Sequence, residues 1–91
     1  MKDLQFEDAQ QIFSEHPDTF YAPSKEELET ITEGSLVKIC VCNERFWTIV
    51  KSVDGETIVA TVNNQLIESD EHNLFLGDEI TFEKKNIYNI Y

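Results

Sequence analysis

From Leu36 onward apolar residues recur at every second position, with Val37, Ile39 and Val41 on one side of a strand and Lys38, Cys40 and Cys42 on the other. A period of two specifies a pleated strand with one buried face. Before Gly34 the apolar spacing is instead three and four, the period of a helix. This single change of period divides the chain into a helical part, residues 1–34, and a β part, residues 35–91.

In the helical part, Asp3 is placed to cap a first helix whose stripe is Phe6, Ala9 and Phe13 with Ile12 beside them. His16-Pro17 stops it, because the residue before proline is pushed out of the helical region. Ser24-Lys25-Glu26-Glu27 has the spacing of a capping box and opens a second helix with Leu28 and Ile31 on its inner edge and Gly34 at its end.

In the β part, Asn43-Glu44 is expected to turn the chain, and Phe46 to Val53 to pair with Thr57 to Val62 around Asp54-Gly55. That dipeptide is the strongest hairpin sequence present, since tight hairpin turns need a positive φ. Asn63-Asn64 suits another turn, Leu66 and Ile67 a short strand, and Gly77-Asp78 a turn leading into closing strands at Glu79 to Phe82 and Ile87 to Tyr91. The predicted class is α+β: two short N-terminal helices followed by a small, strongly bent antiparallel sheet of about five strands, for which an SH3-like barrel is one form. The 91 residues suffice for one core, so residues 1–91 are taken as a single domain with the helices packed on the sheet.

Eighteen acidic side chains against seven basic ones give a net charge of -11, which repels nucleic-acid phosphate and anionic membrane at long range. The first 34 residues carry net -7 and the other 57 net -4. Exposed acids are ordinarily a solvated surface; the sharper alternative is an acidic docking face on which Glu26, Glu27 and Glu29 meet a basic protein. No apolar run approaches the roughly 18 residues of a membrane span, and the start of the chain has no cationic segment followed by an apolar one. The expectation is a cytoplasmic protein without membrane or direct nucleic-acid contact.

Cys40 and Cys42 stand two apart on one strand, a spacing that suits neither a mutual disulfide nor a zinc knuckle, so both read as free thiols. Glu71-His72 lies in a polar loop beside Asp70 and Ser69, without a nucleophile elbow, and reads as a turn-fixing histidine or a contact loop rather than an acid-base pair. Phosphate loops, H-E-x-x-H and calcium-loop patterns do not occur. The sequence therefore predicts no enzyme, no metal and no cofactor.

The segments His16-Pro17-Asp18-Thr19-Phe20, Pro23-Ser24, Gly34-Ser35-Leu36-Val37-Lys38, Glu44-Arg45-Phe46-Trp47, Val53-Asp54-Gly55, Glu71-His72-Asn73-Leu74 and Gly77-Asp78-Glu79-Ile80-Thr81-Phe82-Glu83 resemble, in that order, a family of small bacterial YegJ-like proteins carrying a domain of unknown function. The resemblance spans most of residues 13–90 and departs from the family pattern at Asn43 and Asn73. It implies no catalytic residues, because the family is itself uncharacterised.

Trp47 is the only tryptophan. If Phe46, Thr48 and Val50 point inward, Trp47, Ile49 and Lys51 point to the other face. The favoured expectation is that the N-terminal helices cover that second face and bury Trp47; the alternative is an exposed recognition aromatic beside Arg45. The functional expectation is a protein-protein interaction module whose candidate residues are Trp47, Arg45, Glu71, His72, Glu26, Glu27 and Glu29. The alternative is an acidic inhibitor or immunity-type protein that blocks a basic nucleic-acid-binding enzyme.

Overall fold

A computed structural model of the chain describes residues 6–20, 22–41, 44–64 and 74–91. Five strands, β1 (Leu36–Val41), β2 (Glu44–Asp54), β3 (Thr57–Val62), β4 (Glu79–Glu83) and β5 (Asn89–Ile90), form one antiparallel sheet in the order β4-β3-β2-β1-β5. Among the described residues β4 and β5 are its two edges, and the sheet is not closed. The fold is a small α+β arrangement, and Leu66, Ile67, Glu71 and His72 lie outside the described residues.

Alternation sets the two faces of the sheet. Val37, Ile39 and Val41 of β1 lie opposite Thr48, Phe46 and Glu44 of β2. Val50, Ile58, Ala60, Ile80 and Phe82 continue the same inner face across β2, β3 and β4. Phe46, buried to 1% exposure, sits near the middle of this core. Thr48 is fully buried there because its hydroxyl donates to the Val37 carbonyl at 3.1 Å.

Register departs from the simplest expectation in three places. Glu44 already pairs with Val41, so it belongs to β2 rather than to the expected Asn43-Glu44 turn. Asp54 pairs with Thr57, which makes Gly55-Glu56 the hairpin turn, with Gly55 at φ +62° where a side chain would be strained. Pairing also shifts between Val50 and Ser52, leaving Lys51 as the extra residue of a β-bulge. Beyond the bulge Val53, not Ser52, turns to the inner face opposite Ile58.

Helix α1 (Ala9–Glu15) is capped by Asp8, whose carboxylate accepts the Gln11 N–H at 3.1 Å. The expected cap, Asp3, lies outside the described residues. The later start leaves Phe6 in extended backbone: it bridges to Val41 and its ring lies 5.8 Å from Phe82. Only a narrow stripe remains on this seven-residue helix, so Ala9 is buried, Ile12 half-buried and Phe13 38% exposed. The helix ends at His16, before Pro17.

Helix α2 (Lys25–Glu29) has the capping box read from the sequence. The Glu27 N–H donates to the Ser24 hydroxyl at 3.1 Å and the Ser24 N–H donates to the Glu27 carboxylate at 3.0 Å. The helix stops at Thr30; Gly34, expected to end it, instead makes the entry to β1 at φ +92° and donates its N–H to the Val50 carbonyl at 2.8 Å. Leu28 and Ile31 pack into the inner-face core with Phe46 and Val50. A 3-10 turn (Lys84–Asn86) joins β4 to β5, and its buried Asn86 donates to the carbonyls of Phe6 and Glu7 at 3.2 and 3.1 Å. The C-terminal end thus holds the N-terminal segment against the sheet. No described helix is long and apolar enough to cross a membrane.

Candidate functional site

The face of β1 and β2 that points away from the core brings Leu36 opposite Ile49, Lys38 opposite Trp47 and Cys40 opposite Arg45. This is the outer face, and its two ends are treated differently.

At the Cys40 end the face is covered. Ala9, Ala22, Cys40 and Tyr88 form a second small apolar cluster, with Ile12 and Phe20 packed on it. The Glu7 N–H donates to the Cys40 carbonyl at 3.0 Å, and the Glu7 carboxylate accepts hydrogen bonds from the Tyr88 hydroxyl and from the Cys40 thiol, the latter at 3.3 Å. Burial, reinforced by this carboxylate, pushes the Cys40 thiol up to about 11. Burial and the same carboxylate also raise Tyr88 above its ordinary value. Both groups stay protonated at neutral pH, so neither is an activated nucleophile.

At the Trp47 end neither of the described helices, α1 or α2, covers the face. Trp47 is half-buried; the Tyr91 ring stands edge-on to it at 6.1 Å and the Lys38 ammonium lies 5.1 Å from its centre. Ile49 is 38% exposed and Tyr91 91% exposed beside it. The backbone of Trp47 is pinned, its N–H donating to Asn64 Oδ1 at 2.5 Å and its carbonyl accepting the Asn63 N–H at 2.9 Å. The expected burial of Trp47 beneath the helices is therefore corrected: α2 spends Leu28 and Ile31 on the inner face, and α1 reaches only the Cys40 end.

At the Cys40 end, across from Cys40, Arg45 is exposed with its guanidinium 5.0 Å from the centre of the Tyr88 ring. Beside it opens a groove of about 240 Å³ lined by Thr19, Phe20, Lys38, Arg45, Tyr88 and Asn89. Trp47 and Arg45 are thus brought to one surface. Glu26, Glu27 and Glu29 are exposed on α2, which packs on the opposite face of the sheet, so they do not join it. The expected contact residues Glu71 and His72 lie outside the described residues, as does Cys42. Among the described residues no group of three His, Cys, Asp or Glu side chains is placed to hold a metal.

Sequence reasoning missed Lys38, Tyr88 and Tyr91. The strand alternation did put Lys38 on the Trp47 face, but the register that sets it opposite Trp47 depends on Glu44 pairing with Val41 instead of turning the chain. Tyr88 meets Glu7 across 81 positions, a contact no local pattern announces. No family model, curated protein or solved structure matches the chain.

Proposed function

We propose that this chain is a non-enzymatic interaction domain of the cytoplasm that recognises another protein through the outer sheet face around Trp47. The observation that carries this reading is the half-buried Trp47 itself, beside Tyr91, Ile49 and Lys38 where neither α1 nor α2 reaches. Single exposed apolar residues are ordinary, but a contiguous group with a tryptophan at its centre has the make-up of an interface hot spot. Its pinned backbone lowers the ordering cost of binding. The non-enzymatic part is supported by the Glu7-Cys40-Tyr88 cluster, where burial, reinforced by the hydrogen bonds to Glu7, keeps the thiol and phenol protonated. An SH3-like, strongly curled sheet is supported by the strand order, the bulged eleven-residue β2 and the 3-10 turn before β5.

A second reading, an acidic inhibitor or immunity-type protein for a basic nucleic-acid-binding enzyme, is favoured by a different observation: Glu26, Glu27 and Glu29 are all exposed on the short α2. Affinity capture from cell extract with the native chain, Trp47→Ala and a Glu26→Gln/Glu29→Gln variant separates the two. The first reading expects the partner to be lost with Trp47→Ala while the fold, followed by circular dichroism, persists. A partner kept by Trp47→Ala and lost by the glutamine variant replaces it with the second.

A further inference from the structure

We infer that the groove between Lys38 and Arg45 receives the carboxylates of an extended acidic peptide segment, its apolar side chains lying on Trp47 and Tyr91. The inference rests on the reading of the outer face as the recognition surface and names the chemistry of the partner. Its starting point is the state of the cations. In a chain with eighteen acids and seven bases, Lys51 meets Glu79 at 2.7 Å, and Lys84 and Lys85 lie 4.0 Å from Glu56 and Asp8. Among the described residues Lys25, Lys38 and Arg45 form no such ion pair, and of these Lys38 and Arg45 stand over the rings of Trp47 and Tyr88.

The groove they line is rich in donors and, among the described residues, has no carboxylate in its wall. Asn89 Oδ1 accepts the Ile90 N–H at 2.8 Å, which leaves the NH2 group of that side chain for an acceptor, and Thr19 adds a hydroxyl. Glu7, at the same end of the face, spends its oxygens on Tyr88 and Cys40. Lys38 and Arg45 are diagonal neighbours across β1 and β2, a spacing of about 7–8 Å that lets one carboxylate meet both or two sit side by side. The rings beneath them hold both heads in place before binding, and Arg45 offers a fork that fits a carboxylate with two hydrogen bonds.

The neighbouring apolar group selects a peptide over a simple anion, since Trp47, Ile49 and Tyr91 add area only to a ligand with side chains. The net charge of -11 selects against a long polyanion, whose every added phosphate is repelled by the rest of the molecule.

The test is a titration of ¹⁵N-labelled protein, followed by amide NMR, with synthetic peptides alternating glutamate with leucine, glutamine with leucine and lysine with leucine, and with a single-stranded DNA oligonucleotide. The glutamate peptide is expected to shift the amides of Lys38, Arg45, Trp47 and Asn89. The glutamine peptide is expected to bind at least about tenfold more weakly, the size of a lost charged hydrogen bond. The Lys38→Gln/Arg45→Gln protein, which keeps most of both aliphatic stems, is expected to lose a similar factor for the glutamate peptide while its circular dichroism spectrum is kept and its thermal midpoint falls only slightly, through the two lost cation–ring contacts. Equal binding of the glutamine or lysine peptide at these amides overturns the carboxylate inference and leaves the face as a protein-binding surface. Tighter binding of the oligonucleotide there overturns it in favour of nucleic acid. Silence of these amides with every peptide also overturns it, while the reading of the face is decided separately by the loss or retention of partner with Trp47→Ala.

Discussion

The two ends of the outer face are built from the same pair of strands, yet one is sealed and the other is not. At the Cys40 end the N-terminal segment is held by Asn86, by Tyr88 through Glu7 and by the Phe6 bridge to Val41. At the Trp47 end the neighbours are Lys38, Ile49 and the 91% exposed Tyr91. The difference teaches where covering stops: the helical part closes the sheet only as far as its hydrogen-bonded attachment extends. Beyond that attachment the described face is made by the side chains of Trp47, Ile49 and Tyr91.

The largest expected effect contrasts neighbouring aromatics on opposite faces. Phe46→Ala removes a ring at 1% exposure from the inner core and should cost about 3–5 kcal/mol, the range for a buried large aromatic. Trp47→Ala should cost only about 1–2 kcal/mol, because the ring is half-buried and loses one edge contact with Tyr91 and one cation contact with Lys38. Denaturant unfolding of both variants measures the gap. Equal losses would mean that Trp47 is as much a core residue as Phe46, and the outer face would lose its claim to be a binding surface.

A smaller effect tests the sealed end through pH. The Cys40 thiol is an acid whose folded value is raised from an ordinary 9.0 to about 11. The folded state therefore holds this proton more tightly than the unfolded chain does. Its contribution to stability is complete below about pH 9 and is lost as pH climbs to about 11, an effect of up to roughly 2–3 kcal/mol. Tyr88, also raised, adds to the loss in the same direction at higher pH. Cys40→Ser keeps a donor for Glu7 but does not titrate in this window, so urea unfolding at a series of pH values should show a flatter decline for the variant than for the native chain. Parallel declines would show that Cys40 does not hold its proton as this arrangement requires.

How much of this was legible follows from the range of each interaction. The capping box of Ser24 and Glu27 spans three positions and was read directly, as was the alternation that separates Phe46 from Trp47. The bulge at Lys51 was not, since an extra residue in a strand leaves the local pattern of Val50 and Val53 open to either face. Phe6 has helical spacing to Ala9 and yet lies in extended backbone, because a bridge to Val41 and contact with Phe82 outweigh a local periodicity. The covering of the sheet was the least legible feature. Both helices have an apolar edge, but which face each meets is decided by residues such as Asn86 and Tyr88 at the far end of the chain.

The smallest expected effect addresses the opposite side of the molecule. Glu26, Glu27 and Glu29 project from α2, across the sheet from Trp47. Exchanging all three for glutamine should change folding stability by only several tenths of a kcal/mol, since glutamine serves at the third position of a capping box and the loss is confined to the charge that Glu26 and Glu27 place near the helix start. Thermal unfolding reads that part. The decisive part is association with the captured partner, measured by stopped flow at low and at physiological salt. If recognition runs through the outer face, removing these charges leaves the dissociation rate unchanged and alters the association rate only through the overall field, an effect that vanishes as salt screens it. For an acidic partner segment that change is an acceleration, because three repelling charges are gone. A slower association that loses its salt dependence would instead make α2 the docking face, reverse the sign of the partner's charge and leave the Trp47 surface without a role in binding.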